Sequence, residues 1–170
     1  STADATSTLI VDGTGALNIN TGATFILNSA TNSWTGGTIG GAGSLDVANG
    51  AALAIEGGSV SVLSGNLNNS GTVTLNKSSS AFLINDGGVF NNLLNASFDF
   101  AGDDWVQNNS GNGAFENQGT ISNSGGQHVR FGGSDLDFRN TNGTFDITGG
   151  IVEIGGHSAE FYGSLQANGG

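Results

Sequence analysis

The chain consists largely of short segments in which apolar and polar residues alternate. Residues 17–20, 53–56, 73–75 and 152–154 follow this pattern. An alternation with a period of two is typical of a β-strand that buries one side and exposes the other. Pairs of glycines separate many of the segments, and glycine readily adopts the positive φ that tight corners require. No stretch has the spacing of an amphipathic helix, so the pattern predicts an all-β protein.

A longer repeat runs through the same segments. An apolar residue recurs every 22 to 25 residues, at Leu45, Leu67, Phe90, Phe115, Phe138 and Phe161. An asparagine follows two positions later in four of these copies, at Asn69, Asn92, Asn117 and Asn140. In a parallel β-solenoid, each turn holds two or three short strands and the turns stack about 4.8 Å apart. We therefore predict a single β-solenoid domain over residues 1–170, a right-handed parallel β-helix of about seven turns of roughly 23 residues.

Stacked turns assign a role to each column. The apolar column fills the interior as a core stack. The asparagine column forms a structural ladder at a corner, where each side-chain amide bonds to the amides above and below it. Residues 1–44 keep the period least well, and Trp34 stands there in a polar stretch, so we expect an irregular turn or an insertion at this point. A β-sandwich or a propeller built from the same short strands is the alternative fold.

Composition and charge narrow the function. Three basic residues against 14 acidic ones give a formal net charge of −11. Binding to nucleic acid needs cations that contact the phosphates, so we expect no nucleic acid partner. The absence of cysteine excludes disulfides and thiolate metal sites. The chain has no methionine and no visible leader, so we expect it to be processed or cut from a longer protein. No apolar run reaches the length of a membrane span. We predict a secreted or bacterial cell-surface protein with no cofactor and no transmembrane segment.

Three segments have the style of a known class of repeat: residues 15–19 (GALNI), 43–51 (GSLDVANGA) and 115–121 (FENQGTI). They resemble the repeats of bacterial autotransporter passenger domains and haemagglutinin-like exoproteins, and the resemblance extends over most of residues 9–165. Those families are secreted right-handed parallel β-helices, commonly adhesins. The resemblance implies a non-catalytic structural role, as an adhesin stalk or as a component of an extracellular fibre or sheath. Unpaired strand edges at solenoid ends favour self-association through end-to-end stacking.

Asp103, Asp104 and Trp105 are the best candidates for a binding site. Trp105 offers a platform on which a sugar can stack, so the alternative function is a carbohydrate-binding module on the solenoid flank, with a host or environmental glycan as partner. A polysaccharide-cleaving enzyme is a third hypothesis, because glycoside hydrolysis uses two carboxylates placed across a bond. The paired aspartates and His157 resemble elements of polygalacturonases. The glycine that should follow this histidine and the Arg/Lys element of that family are missing.

Acidic, basic and threonine residues elsewhere in the sequence bear on three further kinds of interaction. Asp99, Asp103 and Asp104 could hold an adventitious calcium ion, because calcium prefers oxygen ligands. Arg130 and Arg139 are expected to form surface ion pairs with the aspartates between them in the sequence. The threonines that follow the apolar column do not form a regular array, which disfavours ice binding.

Overall fold

The computed structural model describes residues 2–5 and 8–167. These residues form 21 strands and no helix, and each pair of neighbouring strands is parallel. In chain order the strands are β1 (Thr2–Ala5), β2 (Ile10–Val11), β3 (Ala16–Asn18), β4 (Thr24–Leu27), β5 (Asn32–Trp34), β6 (Gly37–Val47), β7 (Ala52–Gly57), β8 (Ser61–Asn69), β9 (Thr72–Lys77), β10 (Phe82–Ile84), β11 (Val89–Asn92), β12 (Ser97–Phe100), β13 (Trp105–Asn108), β14 (Gly113–Asn117), β15 (Thr120–Asn123), β16 (His128–Gly133), β17 (Leu136–Asn140), β18 (Thr144–Ile147), β19 (Ile151–Ile154), β20 (Ser158–Phe161) and β21 (Ser164–Ala167). The predicted parallel β-solenoid of about seven turns is confirmed.

Each turn contributes strands to three faces. Face 1 contains β3, the first halves of β6 and β8, and then β10, β13, β16 and β19. Face 2 contains β1, β4, the second halves of β6 and β8, and then β11, β14, β17 and β20. The long strands β6 and β8 run across the corner between these two faces, so faces 1 and 2 form one 13-stranded sheet. Face 3 is the eight-stranded sheet of β2, β5, β7, β9, β12, β15, β18 and β21.

Turn length varies while the strands stay paired. Paired residues on face 2 are from 20 to 25 positions apart in the sequence. The difference is absorbed between the strands and in bulges, such as the one where β6 crosses from face 1 to face 2. Gly41 in this bulge has a φ of 100°, and a Cβ on it would collide with the carbonyl oxygen of Ile19. Only glycine fits this bend without displacing the neighbouring turn.

The predicted core column is present on face 2. Its members pair in register on successive strands and are almost fully buried: Leu45, Leu67, Phe90, Phe115 and Phe138. The rings of Phe90 and Phe115 stack with their centroids 4.7 Å apart. Rings from the other two faces, Phe98 and Phe131, meet Phe115 edge-on. In the turns around Phe115, rings from all three faces therefore meet in the interior.

Phe161 does not continue this column, contrary to the prediction. Phe138 pairs with Ala159, and Phe161 pairs with Asn140. Paired residues of β17 and β20 are only 21 positions apart, two fewer than the predicted spacing. Because side chains alternate with a period of two, a shift of two residues keeps Phe161 on the inner side. Its ring centroid lies 5.4 Å from that of Phe138, and the side chain is 46 % exposed at the last described turn.

The predicted asparagine ladder lies at the corner between faces 2 and 3. Asn69 Nδ2 donates to Asn92 Oδ1 (2.9 Å), Asn92 Nδ2 to Asn117 Oδ1 (2.7 Å), and Asn117 Nδ2 to Asn140 Oδ1 (2.7 Å). All four side chains are fully buried. Each Nδ2 also donates to a backbone carbonyl oxygen. Val47 occupies the same column one turn before the ladder begins.

Trp34 lies in a regularly paired strand, so the irregularity or insertion expected at this residue is wrong; the irregular part of its turn is the later bulge in β6. On face 3, Trp34 pairs with Val11 on one side and with Ile55 on the other. Its side chain is fully buried, and its ring meets Phe82 edge-on with centroids 5.6 Å apart. The polar stretch around Trp34 is thus a strand with one inward-facing tryptophan.

Candidate functional site

A groove of about 590 Å³ runs along the corner where face 3 passes into face 1. It lies between two successive corner segments, residues 78–81 and residues 101–104. These segments stack because β9 pairs with β12 and β10 pairs with β13. Two of the three predicted binding residues, Asp103 and Trp105, line the groove.

Asp104, the third predicted binding residue, is fully buried and does not line the groove. Its Oδ1 accepts the backbone N–H of Lys77 at 2.5 Å, and its Oδ2 accepts the backbone N–H of Gly102 at 2.9 Å. Burial raises the pKa of Asp104, and these two hydrogen bonds oppose that shift. Asp104 therefore positions the corner segment that carries Asp103 and Trp105, which corrects the prediction that it contacts a ligand.

Lys77 also lines the groove, but it is almost fully buried and its amine is turned into the solenoid. Its Nζ donates to the carbonyl oxygen of Glu56 at 2.8 Å and to Ser61 Oγ at 3.0 Å. Burial lowers the pKa of Lys77, while the negative charges of Asp104 and Glu56 oppose that shift. Since Ser61 is itself fully buried, the Lys77 ammonium group does not serve as a contact for a ligand in the groove.

Trp105 is the exposed aromatic residue of the groove, with 42 % of its surface accessible. Arg130 Cζ lies 5.8 Å from the ring centroid, and Arg130 Nε lies 3.5 Å from Glu153 Oε1. The three residues follow one another on face 1, because Trp105 pairs with Arg130 and Arg130 with Glu153. A cation over one ring face holds the indole in place. The groove segment 78–81 lies one turn before Trp105 and Arg130 lies one turn after it, so the two flank the indole from opposite directions along the rod.

Three polar side chains at the groove have unused hydrogen-bonding capacity. Within the part of the chain that the structure describes, the side chains of Asn76, Ser78 and Asp103 make no hydrogen bond. On face 2, by contrast, outward polar side chains bond from turn to turn, as Asn68 Nδ2 does to Asp46 Oδ1 at 2.8 Å. The groove combines an exposed aromatic ring with free donors and acceptors, which is the composition of a small-molecule site.

Comparison of this chain with protein-family models, with curated proteins and with solved structures finds no match. Among the described residues, no helix is long and apolar enough to cross a bilayer. The same residues include no group of three His, Asp or Glu side chains that could hold a metal ion.

Other residues that the sequence grouped together lie apart in the structure. Asp99 Oδ1 on face 3 accepts Ser122 Oγ at 2.6 Å, so this carboxylate bonds to the next turn and does not join Asp103 in a calcium site. His157 lies at the corner between faces 1 and 2, where its Nδ1 is 3.2 Å from Asp137 Oδ1. The histidine and the paired aspartates therefore occupy different corners of the solenoid.

The two surface arginines differ in their partners. Arg139 contacts Asp137 (3.3 Å), as expected, and also Glu116 (2.6 Å) and Glu160 (3.8 Å). Arg130 also forms the expected surface ion pair, but its partner is Glu153 and not one of the aspartates between the two arginines. The cross-turn partners lie one turn away, which is the distance that a parallel solenoid brings into contact.

Sequence reasoning missed Asn76 and Ser78. Phe82 pairs with Val106, so the residues 24 positions before 101–105 are 77–81. Subtracting one repeat from the position of Trp105 would have indicated this neighbouring segment. The side chains that lack partners could not be recognised in this way, because that property depends on contacts between turns.

Proposed function

We propose that this chain is a structural, non-catalytic rod segment of a secreted or cell-surface protein, and that such rods stack end to end. The observation that carries the proposal is the continuity of the core column and the asparagine ladder through successive turns. Buried rings and buried amides of this kind resist local opening, because breaking one turn leaves polar groups unpaired in the interior. This rigidity suits an adhesin stalk or a fibre component.

The charge of the chain supports an extracellular rod. A net charge of −11 keeps a repetitive chain soluble and repels anionic surfaces. The absence of cysteine means that the fold does not depend on the redox state of the compartment.

The last described turn supports end-to-end stacking. Its inward positions include Leu165, which is 69 % exposed, and Phe161. A turn supplied by a second copy would cover these side chains and pair with the open edges of β19, β20 and β21. In our proposal this turn comes from a second copy of the chain, whose strands have matching direction and spacing.

Negative-stain electron microscopy and sedimentation velocity over a concentration series test the proposal. We expect filaments of constant width for the wild type and for Leu94→Lys, and discrete particles for Leu165→Lys. Leu94 is a matched control, since it is 68 % exposed but lies between β11 and β12 on the flank. Particles of constant small size for the wild type at all concentrations would refute end stacking, as would equal effects of the two variants.

A further inference from the structure

We infer that the groove beside Trp105 binds a neutral saccharide. The two corner segments that form it come from successive turns, so the site exists only when the solenoid is folded. This inference does not depend on end stacking, because the groove lies on the flank of the rod.

The aromatic surface selects the ligand class. A sugar ring has one face of C–H groups and a rim of hydroxyls, and an indole ring offers a rigid apolar surface for the C–H face. Trp105 supplies this surface, and Arg130 on its far side keeps the ring from rotating away. Ala81 also lines the groove, and its short side chain leaves room beside the indole.

The polar groups around the ring match the hydroxyl rim. Asp103 accepts hydrogen bonds, Ser78 donates and accepts them, and Asn76 does both through its amide. None of these side chains is engaged by another side chain or by the backbone within the described residues. A polyol can therefore bind without displacing an existing internal hydrogen bond.

The charges favour a neutral ligand over an acidic one. Asp103 stands at the groove, and the Lys77 amine is turned inward to Ser61 and Glu56. Arg130 does not line the groove; its Nε lies 3.5 Å from Glu153 Oε1, and its guanidinium lies against the indole ring. A uronate or sulfate group would meet the Asp103 carboxylate, while the amine of Lys77, the cationic residue that lines the groove, points away from it, which is unfavourable.

The two tryptophans make the inference measurable. Trp34 is fully buried and Trp105 is exposed, so a soluble quencher such as iodide reports on Trp105. A panel of cello-, malto-, xylo- and chito-oligosaccharides at millimolar concentration is titrated against the folded chain. We expect at least one of them to lower the quenching constant about two-fold or more, because a bound sugar covers most of its own surface and the ring beneath it.

Substitutions at Trp105 and chemical-shift mapping test whether a bound sugar lies in this groove. Trp105→Ala should weaken binding, measured by calorimetry, about ten-fold or more, as loss of a central aromatic contact does. Trp105→Tyr should restore part of the affinity, and Tyr162→Ala, an exposed aromatic far along the chain from the groove, should leave it unchanged. Amide resonances of residues 76–81 and 102–105 should shift on titration with the same sugar.

Four results would overturn the inference. They are the absence of protection by any neutral oligosaccharide of the panel, unchanged binding by Trp105→Ala, tighter binding of oligogalacturonate than of the neutral sugars, and resonance shifts confined to another part of the solenoid. Filament formation is measured separately, so failure of the saccharide site leaves the end-stacking result intact.

Discussion

Loss of one amide from the buried asparagine ladder should lower the stability of the fold more than loss of an outward-facing polar side chain. Asn92 stands in its middle: its Oδ1 accepts from Asn69, and its Nδ2 donates to Asn117 Oδ1 and to the carbonyl oxygen of Thr120 at 3.1 Å. Asn92→Ala removes three hydrogen bonds from a site with no access to solvent. In this variant Asn69 Nδ2 still donates to the carbonyl oxygen of Ser97, but Asn117 Oδ1 loses its hydrogen bond from Asn92 Nδ2.

The expected loss follows from these groups. A buried polar group left unpaired costs about 1–3 kcal/mol, and the cavity left by a truncated side chain adds a further penalty. We expect Asn92→Ala to lower the free energy of unfolding by about 3–5 kcal/mol. Urea denaturation followed by circular dichroism measures this value. Fluorescence of the two tryptophans, Trp34 and Trp105, gives a second probe, and agreement between the two probes tests whether unfolding is two-state.

Two further variants separate the cost of the lost hydrogen bonds from the cost of the cavity. Asn91→Ala on the same strand removes one outward bond, to Asn68 Oδ1 at 2.9 Å, and should cost less than about 1 kcal/mol. Asn92→Leu restores volume in a column that already holds Val47, so its remaining cost reports the lost hydrogen bonds. Equal losses for Asn91→Ala and Asn92→Ala, or full stability of Asn92→Leu, would refute the role of the buried amides.

The remaining predictions concern the core and the buried carboxyl group. Phe115→Ala should lower the free energy of unfolding, measured by urea denaturation, by about 3–5 kcal/mol, because its ring contacts rings on all three faces. Tyr162→Ala, at an exposed position, should lower it by less than about 0.5 kcal/mol. Similar losses for the two variants would contradict the assignment of Phe115 to the core. Burial raises the pKa of Asp104 above 3.8, so the folded state holds this proton more tightly than the unfolded state does. The wild type should therefore lose stability relative to Asp104→Asn as the pH rises from about 4 towards neutral, and a relative gain over that range in denaturation midpoints would contradict the shift.

The repeat made most of the fold predictable. Residues of the core column recur at a nearly constant spacing and face the same way, and parallel stacking then brings Phe90 onto Phe115 and Asn92 onto Asn117. The prediction failed where the spacing changed, since a shorter turn brings Phe161 opposite Asn140. Corner length is set by local backbone geometry, which the hydrophobic pattern does not encode.

The candidate site was only partly predictable. Trp105 and Asp103 stand out in the sequence as an aromatic residue beside carboxylates, and both line the groove. Asp104 and Asp103 are the same residue type, but Asp104 is buried and Asp103 lines the groove, because successive side chains point to opposite sides. Inside, the Asp104 carboxylate accepts hydrogen bonds from the backbone N–H groups of Lys77 and Gly102. Trp34 was misjudged because its neighbours in the sequence are polar, whereas its neighbours in space are Val11 and Ile55.

The parallel order of every described strand pair has a consequence for symmetry. Reversing the direction of such a rod exchanges the leading and trailing surfaces of each turn, so a two-fold axis perpendicular to the rod would pair strands in antiparallel fashion. Association that preserves parallel pairing is therefore heterologous, and it regenerates the same free surface after each addition. A filament of these rods would be polar, with two chemically different tips, and its length would be set by concentration and not by closure into a fixed oligomer.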